Sequence, residues 1–276
     1  MRSRSIMMWF SVGGAVCGIF CVIADGREVV LVPDATSKQV YVLDLSTGDV
    51  QSAFSISGYT TSPVEVIDGP VGSLLLSDQV RDMVFQLNST GAYIKDFLQD
   101  PADKIRGIAY ISGGLVGATG NGLFTWSQSG VEREFHFRGD YFDVAGVSSG
   151  ALTATNVVDD NLEAYRTKNG HRLGSTASGE IDFPQQSARI DTASGVRVAV
   201  NSSSGQAICV YGFDGVLDYS FDVGGFGRGV VQLESGNLLV TTNEGLFEYA
   251  VEGSLVRQIM AGSGFRFLSR SKNYGF

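Results

Sequence analysis

The chain has 276 residues, 43% hydrophobic and 18% charged, with a net charge of −9. A chain this long and this apolar buries a core, which excludes an intrinsically disordered protein. The acidic balance and the absence of a basic stripe exclude nucleic acid as an expected partner, and 36 glycines against 5 prolines point to many tight turns.

The N-terminus reads as a signal peptide. Arg2 and Arg4 form a short basic region, and Ile6 to Ile23 carries no charge. Val22 and Ala24 stand at the −3 and −1 positions of a cut after Ala24. Residues 1–24 are then a leader, residues 25–276 are one domain, and the protein is secreted, periplasmic or extracellular. The competing role for the uncharged run is a membrane anchor, but its length is at the lower edge of what spans a bilayer. Membrane contact is expected only through an uncleaved leader. Cleavage leaves Cys209 as the only cysteine. No internal disulfide forms, and Cys209, in an apolar strand, is expected to be a small buried residue.

A repeating unit follows. Val40-Tyr-Val-Leu-Asp-Leu-Ser-Thr-Gly48 is a short apolar strand ending in a polar turn closed by glycine. Relatives of it end at Gly91, Gly130, Gly170, Gly215 and Gly253. A spacing of ~40 residues with all-strand content is that of a β-propeller blade. In the third repeat Arg106–Ile111, Leu115–Thr119, Leu123–Trp126 and Val131–Phe137 read as four strands separated by glycine turns. The last alternates apolar and polar, as an outer strand with one wet face does. The first repeat begins at Glu28-Val-Val-Leu-Val and lacks its innermost strand. The spare strand Phe265-Arg-Phe-Leu-Ser-Arg near the end is expected to fill that gap. The fold class is therefore all-β: a six-bladed β-propeller of four-stranded antiparallel blades, the first closed by the C-terminal strand. Gly174 to Gln186 is a longer polar connection between blades four and five, of the kind that carries function.

With the repeats aligned, Arg106-Gly107-Ile108-Ala109, Arg228-Gly229-Val230-Val231 and Leu76-Ser-Asp78 with the strand to Gly91 resemble the NHL-repeat type of six-bladed propeller. Blades four and five depart from that pattern, since Phe142-Asp143-Val144 and Ala188-Arg189-Ile190 lack the glycine. A more distant resemblance is to the gluconolactonase group, which implies a divalent ion held by Glu, Asn and Asp side chains at the channel mouth.

Two sets of residues carry candidate chemistry. Counting from the glycine before strand two gives Asp78, Asn156 and Asn201, with Asp34 in blade one and, one residue later, Asn121 and Asn243. These six sit at one rim. Asp and Asn cap hairpin turns; a converging ring of them also suits a polar ligand or Ca²⁺. The second set, Glu65, Arg106, Asp143, Arg189 and Arg228, lies at the starts of the innermost strands, where charges pair with one another or face a ligand. Arg106 and Arg228 have the fork of donors that holds a carboxylate. Metal ligands, where a metal binds, are Glu65, Asp143, Asn156 and Asn201. His136 and His171 have no companion at metal spacing. No nucleophile elbow or phosphate loop is present.

The expected function is that of a monomeric, non-enzymatic exported propeller, without a cofactor, that binds a protein, glycan or small polar ligand at its rim or channel mouth. The alternative is a divalent-metal-dependent hydrolase of lactones or esters.

Overall fold

Short apolar strands alternating with glycine turns build six sheets of four antiparallel strands each, arranged in a ring. The computed structural model describes residues 28–98, 103–111, 114–148 and 150–275; the expected leader lies outside them. The molecule is a six-bladed β-propeller. Blades two to six are consecutive in sequence, with innermost strands Pro63–Asp68, Ile108–Ile111, Tyr141–Ser148, Pro184–Thr192 and Gly227–Gln232. Blade one holds Val29–Asp34, Gln39–Asp44 and Val50–Ser55 and takes its innermost strand, Ser269–Ser271, from the other end of the chain. That strand pairs Val29 with Ser271 and Leu31 with Ser269, and a separate bridge joins Asp34 to Phe265. The closure expected from the sequence is thus present, in two short pieces.

The burial of each strand follows from its place in the blade. Val29–Asp34 is buried along its whole length, because a second strand has a neighbouring blade on either face. The outermost strands Tyr93–Asp96 and Arg172–Ser175 are exposed throughout. Apolar side chains collect in one cluster per junction between blades. Val29, Leu31 and Val42 of blade one meet Val66, Leu76 and Phe85 of blade two; Leu43 and Leu45 meet Leu239 and Leu246 of blade six. Burying such residues stabilises by about 25 cal/mol per Å², so it is the wedges pressing on one another that hold the ring. The six closing glycines all have positive φ: 73° at Gly48, 85° at Gly91, 83° at Gly130, 66° at Gly170, 79° at Gly215 and 102° at Gly253. Only glycine takes that conformation without strain, which is why the repeat is legible at these positions. At Gly130 a Cβ would also lie 1.7 Å from the Phe97 carbonyl of the preceding blade.

The long connection is shorter than expected. Blade four's outer strand runs on to Ser175 and blade five's inner strand starts at Pro184, so only residues 176–183 link them. Ile181 inserts into the core between those blades. Cys209 is buried and free, as expected. Among the described residues no helix is long and apolar enough to cross a membrane.

Candidate functional site: a plugged axial channel

The innermost strands run side by side, starting at one face of the disc, here the upper face, and ending at the lower. Near their upper ends the equivalent positions are Glu65, Gly107, Asp143, Gln186, Gly229 and Phe267. The Glu65, Asp143 and Gly229 amides each donate to a strand-two hydroxyl, Ser77, Thr155 and Thr241 respectively. Where the position carries a polar side chain, that side chain reaches another blade. Glu65 Oε2 accepts from the Ile108 amide at 2.8 Å. Asp143 Oδ2 accepts from the Ser187 amide at 2.8 Å and its hydroxyl at 3.1 Å. Gln186 Oε1 accepts from the amides of Val230 at 3.0 Å and Leu268 at 2.8 Å. Where the position is glycine, there is no room for more: a Cβ on Gly107 would stand 2.4 Å from Asp143 Oδ1, and one on Gly229 would stand 2.8 Å from the Arg266 carbonyl. The glycine of the Arg-Gly-Ile-Ala pattern therefore receives the neighbouring blade, and its absence from blades four and five marks the side chains that cross.

These contacts close the axis. Gln186 Nε2 donates to Glu65 Oε1 at 3.2 Å, although blades five and two stand on opposite sides of the ring. Ser269 of the closing strand donates to the same oxygen at 2.8 Å. Below this polar plug lies a cavity of about 600 Å³ with walls from all six inner strands. Ile67, Ile108, Ala109, Ala145, Val230 and Val231 line its sides, Glu65, Gln186 and Ser187 close its upper end, and Asp68, Arg189, Asp191, Gln232 and Arg270 surround its lower mouth. It is a blind channel, open below.

The plug carries unusual electrostatics. Burial pushes the Glu65 carboxyl well above the usual carboxylate range, and repulsion from Asp143 adds to this against the hydrogen bonds it accepts. Burial likewise raises Asp143 to about 7, with the Ser187 hydrogen bonds opposing. Asp143 Oδ1 is buried without a hydrogen-bond partner.

The remaining residues expected from sequence divide clearly. Arg106 is buried, donates to the Tyr141 carbonyl at 2.9 Å, pairs with Asp140 and stacks 3.9 Å from the centroid of Phe142. It holds blades three and four together and, being committed to Asp140, is not free for another carboxylate. Arg189 is not at the start of its strand. Blade five's inner strand begins four residues earlier than Ala188, at Pro184, so Arg189 lies at the lower mouth, with a half-exposed side chain 3.5 Å from Asp191. Arg228 does stand at the upper face, donating to the Ser263 and Phe265 carbonyls at 3.1 and 3.2 Å.

The six rim residues do not converge as one ring. Asp34 accepts from the amides of Thr36 and Ser37, Asn156 from those of Val158 and Asp159, and Asp78 from those of Val80, Arg81 and Ser62. These cap turns. The true equivalents elsewhere are Thr119, Ser202 and Thr242: Ser202 faces Pro184 and Thr242 faces Gly227 as Asp78 faces Pro63. Asn121 is two residues further on and Asn243 one, bonded to Asp103 and to the Phe226 amide respectively. Asn201 is one step earlier, on the other face of its strand. It is fully buried against Gly227, with Nδ2 3.5 Å from the Gly229 carbonyl. Asn156 and Asn201 thus have other engagements than a shared ion with Glu65 and Asp143. Among the described residues no three of His, Cys, Asp and Glu gather in a metal-holding group.

Sequence reasoning missed Gln186, an uncharged residue at the Glu65-equivalent position, and the buried Glu163, which accepts from Tyr141 at 2.8 Å and also bonds Tyr165 and Arg172. Aligning strand one of blade five by its pairing partner, not by its charge, would have found Gln186.

No protein-family model matches the chain, and no curated protein does. Solved structures resemble it in shape. A protein of unknown function from Bacteroides caccae has 12% identity and a TM-score of 0.65, over 88% of this chain and 98% of that one. Virginiamycin B lyase from Staphylococcus aureus has 12% identity and a TM-score of 0.57, over 71% of this chain and 69% of that one. A catalytically inactive form of that lyase with quinupristin has 11% identity and a TM-score of 0.62, over 90% and 94%. At such identities the likeness is one of fold.

Proposed function

We propose that the protein is an exported, non-enzymatic binding propeller of the NHL-repeat kind, whose blind axial channel takes a small ligand through the lower mouth. One observation carries this: a cavity of about 600 Å³, apolar at the sides and polar at its closed end and mouth, has the size and lining of a ligand pocket. The acidic group at its closed end supports binding over catalysis, because Glu65 is spent on the Ile108 amide, Gln186 and Ser269. The mouth, with Asp191 and Arg189 exposed, offers charged groups of both signs to the polar end of a ligand, glycan or protein loop. The test is thermal melting of the secreted protein against small carboxylic acids, amines and saccharides. A saturable rise in Tm that Ala145→Trp abolishes supports the proposal; turnover of an ester or lactone by the purified protein overturns it.

One feature favours a second reading, a divalent-metal-dependent hydrolase. Asp143 Oδ1 is buried and unpaired, and Asp143 and Glu65 repel each other, a combination a cation would relieve. A Tm rise with Ca²⁺, reversed by EDTA and lost in Asp143→Asn, would support that hydrolase; an unchanged Tm at millimolar Ca²⁺ removes it.

A further inference from the structure

On the opposite side of the plug from the channel, two arginines stand together with no ion-paired acid among the described residues. Arg228 on blade six and Arg266 before the closing strand of blade one occupy equivalent positions, each immediately ahead of the residue that lines up with Glu65. Their backbones are tied by Thr241, whose hydroxyl accepts from the Gly229 amide and donates to the Arg266 carbonyl, both at 2.7 Å. Arg228 Nη1 donates to the carbonyl of Phe265, the residue beside Arg266. Neither arginine forms an ion pair among the described residues. Arg266 Nε is buried and has no partner. The carboxylate whose field reaches Arg266 is Asp34, and its oxygens are taken by the Thr36 amide and by the amide and hydroxyl of Ser37. Burial and the neighbouring Arg228 lower the Arg266 pKa to about 10, and burial lowers that of Arg228. Such a pair costs stability when empty, since a guanidinium has five donors and no acceptor role to fall back on.

We propose that Arg228 and Arg266 form an oxyanion site on the upper face, taking the carboxylate or phosphate group of a small anionic molecule. Two guanidinium forks on adjacent blades, one with its Nε unused, supply charge-assisted donors to a group with several oxygens. The neighbouring carbonyls of Ser263 and Phe265 fix Arg228 in place, so less freedom is lost on binding. The site is independent of the channel, so either can fail alone.

The experiment is thermal melting and calorimetric titration of the whole protein at low ionic strength with inorganic phosphate, with malonate, and with sodium chloride at matched ionic strength. Phosphate or malonate is expected to raise Tm saturably where chloride does not, and the stronger of the two names the group. Arg266→Gln is expected to weaken that response at least tenfold while leaving the Tm without anion equal or higher, because it removes an uncompensated charge. Ala145→Trp in the channel is expected to leave the anion response unchanged. An equal effect of chloride, or a full response retained in Arg266→Gln, overturns the proposal. A drop in the anion-free Tm of Arg266→Gln, with no saturable response in the unaltered protein, overturns it too and makes the arginine structural.

Discussion

The two ends of the axial channel are built from the same strands and behave in opposite ways. At the upper end Glu65, Asp143 and Gln186 are buried, and nearly every polar atom is tied to another blade. At the lower end the Arg189 and Asp191 side chains are exposed and pair with each other at 3.5 Å, while Gln232 of the next blade holds only the Asp191 backbone. Six wedges meeting at a point must satisfy the first amides of their inner strands, and side chains do this at the top. At the bottom Gln232 ties blade six to the Asp191 backbone and Asp68 accepts from Ser271, Lys272 and Asn273, but the Arg189 and Asp191 side chains stand clear of these contacts. The carboxylates buried in the plug are therefore architectural, and binding is to be sought at the exposed lower mouth and at the half-buried Arg228 and Arg266 above the plug.

The largest expected effect comes from breaking the upper end. Glu65→Ala removes acceptors from Ile108, Gln186 and Ser269 at once, and losing one member of such a buried network costs roughly 3–5 kcal/mol. Chemical denaturation would show this as a clear fall in the midpoint; an unchanged midpoint would mean that the plug is ornamental.

Next is pH. The folded Asp143 carboxyl titrates near 7 against an ordinary 3.8, and Glu65 moves the same way. A carboxyl raised on folding contributes stability that is complete below its unfolded pKa and is lost as pH rises through its folded pKa. The protein should thus weaken between about pH 4 and 7, by up to about 1.4 kcal/mol per pH unit for one proton. Melting curves across that range test the sign, and Asp143→Asn should flatten the slope.

A smaller effect is expected at the upper rim. Asp78→Ala leaves the amides of Ser62, Val80 and Arg81 without their acceptor, at a cost of about 1–3 kcal/mol. Smallest is the lower mouth: Arg189→Ala breaks an exposed pair and should change stability by less than ~0.5 kcal/mol. Comparable losses from Asp78→Ala and Arg189→Ala would erase the distinction between the two ends.

What the sequence disclosed follows the same division. Blade number and ring closure were legible because glycine at positive φ and apolar strands are demanded locally, at Gly91 or Val29 alike. The placement of Glu65, Asp143 and Arg228 near the axis was legible for the same reason. Register was harder. Blade five's second strand spans Gly195–Ser202, one residue more than the count from its glycine allowed, so Asn201 falls on the opposite face and Ser202 takes the rim. A one-residue slip reverses a side chain's direction in any strand. Arg189 was misplaced because Pro184 to Ser187 carries no apolar pattern to announce a strand. Gln186 escaped notice because its partners lie on blades remote in sequence, and Arg266 because its neighbour Arg228 does; no local pattern encodes a contact between residues 65 and 186.

The pairing of Val29 with Ser271 also has a meaning for biosynthesis. As the chain leaves the ribosome, blade one must wait, three strands wide, while every other blade is made. Through that interval its bare edge can recruit the closing segment of a second nascent chain as readily as its own, giving an exchanged dimer. Dilute, slow translation should favour self-closure, and crowded overproduction the exchanged form.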